Sequence, residues 1–94
     1  MTMKFTWDEA KNSINRQKHG VDFADVPEMF ELPMVTFLDR KREYGEDRWV
    51  GIGWLHDVLA VAIYAEPDRK TVRIISARKA NRHEQSIYAE EIRD

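Results

Sequence analysis

Between Arg69 and Arg82 the sequence carries six basic residues and no acidic one, a local net charge of +6 in a chain whose overall charge is −2. Arginine is suited to holding phosphate, because its guanidinium group stays charged and can donate two hydrogen bonds to one anion. Two of these arginines, Arg73 and Arg78, fall within a predicted strand. This run suggests an anion-binding surface, and the alternative is a charged face that contacts only water.

The two strand arginines are expected on opposite faces of the strand. Strict alternation places Arg73 on one face and Arg78 on the other, beside Val72 and Ile74. An arginine next to apolar neighbours either extends to the edge of the sheet or lines a cleft. Arg73, in the middle of the strand, needs water or an anion beside it. Both positions are compatible with phosphate binding.

A second group of polar residues lies on the first predicted helix. Lys11, Asn15 and Lys18 fall within about 60° of one another at 100° per residue, and His19 lies beside them at the helix end. They form one polar stripe, which is either a solvent-exposed face or part of a binding surface.

The histidines are candidates for proton transfer. The helix dipole favours the protonated ring of His19, at a predicted helix C-terminus, and the neutral ring of His83, in the first turn of the last helix. The pair would suit acid and base roles in RNA cleavage, and the alternative is that each is structural. His56 lies in a predicted turn and is interpreted as an exposed turn residue.

Sequence patterns typical of metal and nucleotide sites are missing. The chain has no cysteine and no HExxH pattern, and its four glycines lack the spacing of a phosphate-binding loop. We therefore expect neither a metal nor a cofactor.

Length and composition favour one small domain spanning residues 1–94. The absence of cysteine is compatible with a reducing cytoplasm, and the charged N-terminus does not resemble a secretion signal. The longest apolar run, Val58 to Ala65, is too short to span a bilayer. We expect a cytoplasmic protein with no membrane partner.

Three helices are predicted around the sheet. Asp8 caps the first, which ends near His19 at Gly20 and turns Ala10, Ile14 and Gln17 inward. Asp22 caps a shorter second helix toward Phe30, which Pro27 weakens. It should present Phe23, Val26 and either Met29 or Phe30 on one face. Asn81 and Glu84 form a capping box for the third, whose inner residues are Ile87, Tyr88 and Ile92.

About four strands are predicted, in an antiparallel sheet. Met34 to Leu38 is followed by a charged loop from Asp39 to Asp47, and then the pattern changes to period two. Three strands form a meander, Arg48 to Leu55, Val58 to Ala65 and Thr71 to Lys79, with a turn at Pro67 and Asp68. Helices at both ends of an antiparallel sheet define an α+β fold.

Three segments together resemble one family. FTWDEAKNSINRQKHGVDF, YGEDRWVGIG and VRIISARKANRHEQSIYAEE are similar, in order and separation, to the signature blocks of the BrnT toxins. Two departures are Val26-Pro27, in the second helix, and His83, where the family often has a basic residue. The resemblance implies a RelE-like fold, ribonuclease activity that halts growth, and a ribbon-helix-helix antitoxin. Operator DNA would be bound only through that antitoxin.

The resemblance also implies which residues form the site. The matching positions are Trp7, Lys11, Asn15, Lys18, His19, Glu46, Arg48, Arg73, Arg78, Arg82, Glu84 and Tyr88. We expect catalytic roles, in one cleft, for Lys11, His19, Arg73 and Arg78. We expect RNA contacts from Asn15, Lys18, Arg48, Lys79 and Arg82. Glu46 and His83 are further candidates for acid or base.

The hypothetical reaction is attack by a ribose 2′-hydroxyl on the adjacent phosphorus without a metal. Arg73 and Arg78 would hold the charge on the phosphate oxygens, and His19 or Lys11 would transfer protons. Two other classes stay open: a toxin on the same scaffold that inhibits a protein target without cutting RNA, and a regulatory module that acts only through its antitoxin.

Overall fold

The computed structural model describes residues 3–39 and 45–92, in which five strands form one sheet. The strands are β1 (Lys4–Thr6), β2 (Val35–Leu38), β3 (Trp49–Leu55), β4 (Val58–Asp68) and β5 (Thr71–Lys79). Their order is β1-β5-β4-β3-β2, with β1 parallel to β5 and every other pair antiparallel. The expected α+β meander is confirmed.

The predicted number of strands and their purely antiparallel arrangement were wrong. Lys4–Thr6 adds a fifth strand, because it pairs in parallel with the first three residues of β5. The turn expected at Pro67 and Asp68 follows them instead, because β4 continues to Asp68. The charged loop predicted from Asp39 to Asp47 includes residues 40–44, which lie outside the described residues.

The first helix, α1 (Glu9–His19), has the predicted caps. The Asp8 carboxylate accepts a hydrogen bond from the Lys11 backbone N–H at 3.1 Å, and Gly20 takes the left-handed conformation with φ of 72°. The Gly20 N–H then donates to the Arg16 carbonyl at 2.8 Å. This position favours glycine, because a Cβ atom would be strained there.

The predicted inner side of α1 was wrong. Ile14 is 62% exposed, and Ala10 and Gln17 are exposed as well. Instead α1 buries the amide side chains of Asn12 and Asn15. The helix packs through hydrogen bonds, which the hydrophobic pattern of the sequence does not indicate.

The second helix, Phe23–Glu31, is a 3₁₀ helix and not the predicted α-helix. Its buried residues, Phe23, Val26 and Met29, recur every third position, which matches three residues per turn. Pro27 lies inside it and cannot donate a backbone hydrogen bond. The apolar face predicted for this segment is nevertheless confirmed.

Asp22 links the 3₁₀ helix to α1. Its carboxylate accepts hydrogen bonds from the Ala24 N–H at 2.9 Å and from the Asn12 side chain at 3.0 Å, and it lies 3.4 Å from an Arg16 guanidinium nitrogen. The bond from the Ala24 backbone, then that from Asn12, lowers the pKa of the Asp22 carboxyl group. The ionised form of Asp22 therefore stabilises the fold.

Replacement of Asp22 by Asn is expected to reduce the sensitivity of the protein to acid. A carboxyl group whose pKa is lowered by folding stabilises the protein above its unfolded pKa of about 4, and this contribution is lost as the pH falls through the lowered value. Chemical denaturation of wild type and Asp22→Asn at several pH values between about 6 and 3 measures it. Equal losses of unfolding free energy in both proteins would show that Asp22 contributes nothing to acid sensitivity.

The last helix, α2 (Arg82–Ile92), begins with the predicted capping box. The Glu84 N–H donates to the Asn81 side chain at 2.8 Å, and the Asn81 N–H donates to Glu84 Oε1 at 2.9 Å. Tyr88 is buried and its hydroxyl donates to the Pro33 carbonyl at 2.9 Å. Ile92 was predicted to point inward but is exposed, because it lies in the last turn of the helix.

The sheet separates two apolar clusters. The first lies under α1 and the 3₁₀ helix and includes Phe23, Met29, Tyr64 and Val72. The second lies under α2 and consists of Ile52, Val61, Ala80 and Tyr88. Within the described ranges, no helix is long and apolar enough to cross a membrane.

Candidate functional site

Arg73 and Arg78 lie on the same face of the sheet, contrary to the prediction from strict alternation. In the pairing of β5 with β4, Ser76 is opposite Ile63 and Ile74 is opposite Tyr64, so that Ile75 is an extra residue. A bulge of this kind reverses the alternation beyond it. Ser76 and Arg78 therefore join the face of Arg73, whereas Ala77 joins the buried cluster on the other face.

Arg78 is held by a carboxylate of the last helix. Its Nη1 donates to Glu84 Oε1 at 2.8 Å, and its Nη2 donates to Glu84 Oε2 at 2.7 Å. Nη1 also donates to the carbonyl oxygen of Lys79 at 3.2 Å. These bonds fix the plane of the guanidinium group, while 39% of the Arg78 side chain stays exposed.

The pair is ionised at neutral pH. The hydrogen bonds from Arg78 lower the pKa of the Glu84 carboxyl group, and those to Glu84 raise the pKa of Arg78. Glu84 also accepts a bond from the Asn81 N–H, so the capping box and the arginine share one carboxylate.

Arg78 and Glu84 stand at one side of a groove of 450 Å³. The other lining residues are Phe37, Leu38, Asp39, Val50, Val61 and Ile63. Phe37, on the edge strand β2, is 44% exposed and gives the groove an apolar wall. The groove thus combines an apolar surface with a fixed cation, which is suited to a ligand with flat apolar parts and a negative charge.

Arg73 has a carboxylate neighbour of its own. Its Nη2 forms an ion pair with Glu46, a residue of the predicted charged loop. The side chains are 39% and 32% exposed, so the contact is open to solvent. Glu46 is therefore placed beside one of the two arginines, where a carboxylate could accept a proton from a bound ligand.

The polar stripe of α1 lines a second groove, of 220 Å³, beside β5. Its lining residues are Lys11, Ile14, Asn15, Lys18, His19, Ile75 and Ser76. It shares no lining residue with the groove of Arg78. The structure thus does not bring Lys11 and His19, which were predicted to share one cleft with Arg73 and Arg78, into the groove of Arg78. Ser76 lines the α1 groove and lies opposite Ile63, which lines the groove of Arg78, so the two surfaces approach each other there.

Asn15 does not present its amide to this groove. Its Nδ2 donates to the Ala77 carbonyl at 2.8 Å and to the Val21 carbonyl at 3.0 Å, and its Oδ1 accepts from the Ala77 N–H at 3.3 Å. The side chain is buried and these bonds use its polar atoms. Asn15 therefore holds α1 against β5, and its side-chain N–H donors are used within the protein and not offered to RNA as predicted.

The remaining predicted residues are dispersed. Lys79 ends β5 and lines a separate groove with Trp54 and Gln85, whereas Arg82 and His83 are exposed in the first turn of α2. Arg48 is half-buried just before β3, where its carbonyl accepts from the Asp39 N–H at 2.8 Å. Among the described residues, no group of three or more histidine or acidic side chains could hold a metal ion.

Two features of the site were missed by the sequence analysis. One is the pair of hydrogen bonds that Arg78 donates to Glu84. The two residues are six positions apart, one at the end of a strand and the other at the start of a helix, and no sequence pattern indicates that such residues contact each other. The other is the exposed Phe37, because an apolar residue in a short strand is ordinarily expected to be covered.

Comparison with known proteins identifies similar chains. Residues 7–84 match a family model described as the ribonuclease toxin BrnT of type II toxin–antitoxin systems. The fold is similar to the crystal structure of the Brucella abortus ribonuclease toxin BrnT, with a TM-score of 0.69 and 31% sequence identity, covering 86% of this chain and 100% of the other. No protein with a curated description matches the sequence significantly.

Proposed function

This chain belongs to the BrnT family of ribonuclease toxins of type II toxin–antitoxin systems, and from that premise we propose that it cleaves RNA on the sheet face that carries Arg73 and Arg78. The observation that supports this site is the bulge at Ile75, which brings both arginines to one face. The fold is proposed to be of the RelE type.

The proposed reaction is an intramolecular transesterification. The ribose 2′-oxygen forms a bond to the adjacent phosphorus, its proton passes to a base, and the bond from phosphorus to the 5′-oxygen breaks. A proton delivered to that oxygen gives a 5′-hydroxyl end, and the other fragment ends in a cyclic phosphate. Arg73 and Arg78 stabilise the charge that gathers on the non-bridging oxygens, so the reaction needs no metal.

Four groups are proposed for proton transfer, and Glu46 is the first of them. Glu46 contacts Arg73, so it lies beside a phosphate held there. Lys11 and His19 line the other groove, and their participation requires RNA that crosses β5 near Ser76. His83, exposed on α2, is the fourth candidate.

Other basic side chains are proposed to hold the flanking RNA. Lys18 belongs to the α1 groove, and Lys79 and Arg82 lie at the junction of β5 with α2. Arg48, just before β3, is proposed as a further contact. Such contacts bind the backbone at any sequence, and their contribution weakens with salt.

The proposed partner is a ribbon-helix-helix antitoxin, through which the pair would bind operator DNA. The +6 charge from Arg69 to Arg82 favours acidic segments in that antitoxin, because complementary charge speeds association and fixes orientation. An antitoxin that covers Arg73 and Arg78 would block the proposed site directly.

The purified protein is expected to cut total RNA into fragments with 5′-hydroxyl ends in the presence of EDTA, and its expression alone is expected to arrest bacterial growth. Gel analysis, with enzymatic labelling of the 5′-hydroxyl ends, measures the cleavage. Arrest of growth by soluble protein that leaves RNA intact would contradict the proposal and favour inhibition of a protein target. Cleavage that EDTA abolishes would contradict its metal independence.

A further inference from the structure

We infer that Glu84 is a positioning residue: it occupies one edge of the Arg78 guanidinium group and leaves the edge formed by Nε and Nη2 to bind two oxygens of an RNA phosphodiester. This inference rests on the proposed function, since it names how one arginine of that site binds its substrate.

Three N–H donors of the Arg78 guanidinium group are already used within the protein. A guanidinium group has five N–H donors in a fixed plane. Glu84 takes one hydrogen from Nη1 and one from Nη2, which together form the end edge of the group. The second hydrogen of Nη1 is directed to the carbonyl of the adjacent Lys79.

Two donors of Arg78 stay available in the part of the chain that the structure describes. They are the N–H of Nε and the outer N–H of Nη2, which point the same way and form the side edge of the guanidinium plane. Two parallel N–H groups match two oxygens of a phosphate. The 39% exposure of the Arg78 side chain, and its place in the lining of the 450 Å³ groove, keep a ligand within reach.

Glu84 is itself fixed more firmly than an ordinary surface carboxylate. Its side chain is 17% exposed, and Oε1 also accepts the Asn81 N–H of the capping box at 2.9 Å. The Asn81 side chain in turn accepts the Glu84 N–H. The first turn of α2 therefore determines the direction in which the side edge of the Arg78 guanidinium group points. Without these bonds, the long side chain of Arg78 would adopt several rotamers.

The consequence is a cation that is oriented before RNA arrives. An arginine held by one rigid bidentate contact loses less conformational freedom when it binds a second anion. The carboxylate also weakens the net positive charge at the site, so its benefit lies in geometry and not in attraction. Its removal should therefore affect the rate of the chemical step more than the binding of RNA.

Replacement of Glu84 by Gln tests the inference. The glutamine oxygen can still accept the Asn81 N–H, but its amide N–H₂ cannot accept from the second guanidinium nitrogen. We expect kcat to fall by about 10- to 100-fold, as for loss of an outer partner that orients a ligand group, with KM changed less than kcat. Glu91→Gln, which makes the same charge change on an exposed position of α2, serves as the matched control.

A second measurement separates positioning from bracing of the helix. We expect addition of a 2′-O-methyl oligoribonucleotide, which cannot be cleaved, to shift the NMR signal of the Arg78 Nε–H in wild type and to shift it less in Glu84→Gln. A variant that cleaves at the wild-type rate, or a wild-type Nε–H signal that does not move, would overturn the inference. If wild type cleaves no RNA, the proposed function fails. The Nε–H signal then still shows whether the oligoribonucleotide binds at the Nε and Nη2 edge of Arg78.

Discussion

Replacement of Arg78 by Ala is expected to lower the rate of RNA cleavage on the order of 10² to 10³-fold, by analogy with the loss of a single preorganised oxyanion donor. The side chain contributes a fixed cation to the phosphate and little apolar packing, since 39% of it is exposed. Removal of the guanidinium group opens the Glu84 carboxylate, which is 17% exposed and lines the groove, to water, and the carboxylate keeps its bond from the Asn81 N–H. The fold should therefore persist.

Arg73→Ala is expected to behave in the same way, because the bulge places Arg73 on the same face. The measurements are the initial rate of RNA cleavage and the thermal midpoint of each variant. Arg16→Ala removes an exposed arginine that pairs with Asp22 and lies on α1, so it is the matched control for loss of one positive charge. Wild-type cleavage by Arg78→Ala would place the catalytic surface elsewhere.

Tyr88→Ala provides the opposite control. Tyr88 is 7% exposed, donates to the Pro33 carbonyl, and packs edge-to-face against Trp54 with ring centroids 6.2 Å apart. Its loss should lower the thermal midpoint, because it leaves a cavity between α2 and the sheet. If Arg78→Ala unfolds the protein and Tyr88→Ala does not, the assignments of site and core are reversed.

The sequence predicted features that depend on neighbouring residues. The caps at Asp8, Gly20 and Asn81 are local hydrogen-bond arrangements, and each lies where it was expected. The hairpin between β3 and β4 also follows from local signals, and His56 at its turn is exposed with φ of 55°. Such features need no knowledge of what packs against them.

The faces of β5 could not be predicted in this way. Alternation is a local rule, but the bulge at Ile75 arises from the pairing of β5 with β4, which is a long-range contact. One extra residue moved Arg78 to the side of Arg73. The fifth strand was missed for a similar reason, because the three residues of β1 carry too weak a pattern and are defined by their parallel partner.

The inward face of α1 shows a further limit of hydrophobic patterning. The pattern assigned Ile14 to the core and Asn15 to a polar stripe on the surface, whereas in the structure Ile14 is exposed and Asn15 is buried. β1 pairs only with Thr71–Arg73, so in the described residues no strand lies beside the outer edge of β5 further along. The Asn15 amide bonds both backbone groups of Ala77 at that edge. The Asn15 side chain makes the backbone hydrogen bonds that a neighbouring strand would otherwise make. In the sequence, such an asparagine cannot be distinguished from one on a solvent-exposed face.

Asn15→Asp is accordingly expected to destabilise the fold by about 2 to 5 kcal/mol, because a carboxylate keeps the bond from the Ala77 N–H but cannot donate to the carbonyls of Ala77 and Val21. For a domain of this size, the thermal midpoint should fall by more than about 10 °C. Ile14→Ala, one residue away but 62% exposed, should leave the midpoint almost unchanged. Thermal denaturation of the two variants measures both effects. If Ile14→Ala were the more damaging substitution, α1 would pack with the apolar side that its sequence pattern indicated, and the grooves beside β5 would be lined by other residues.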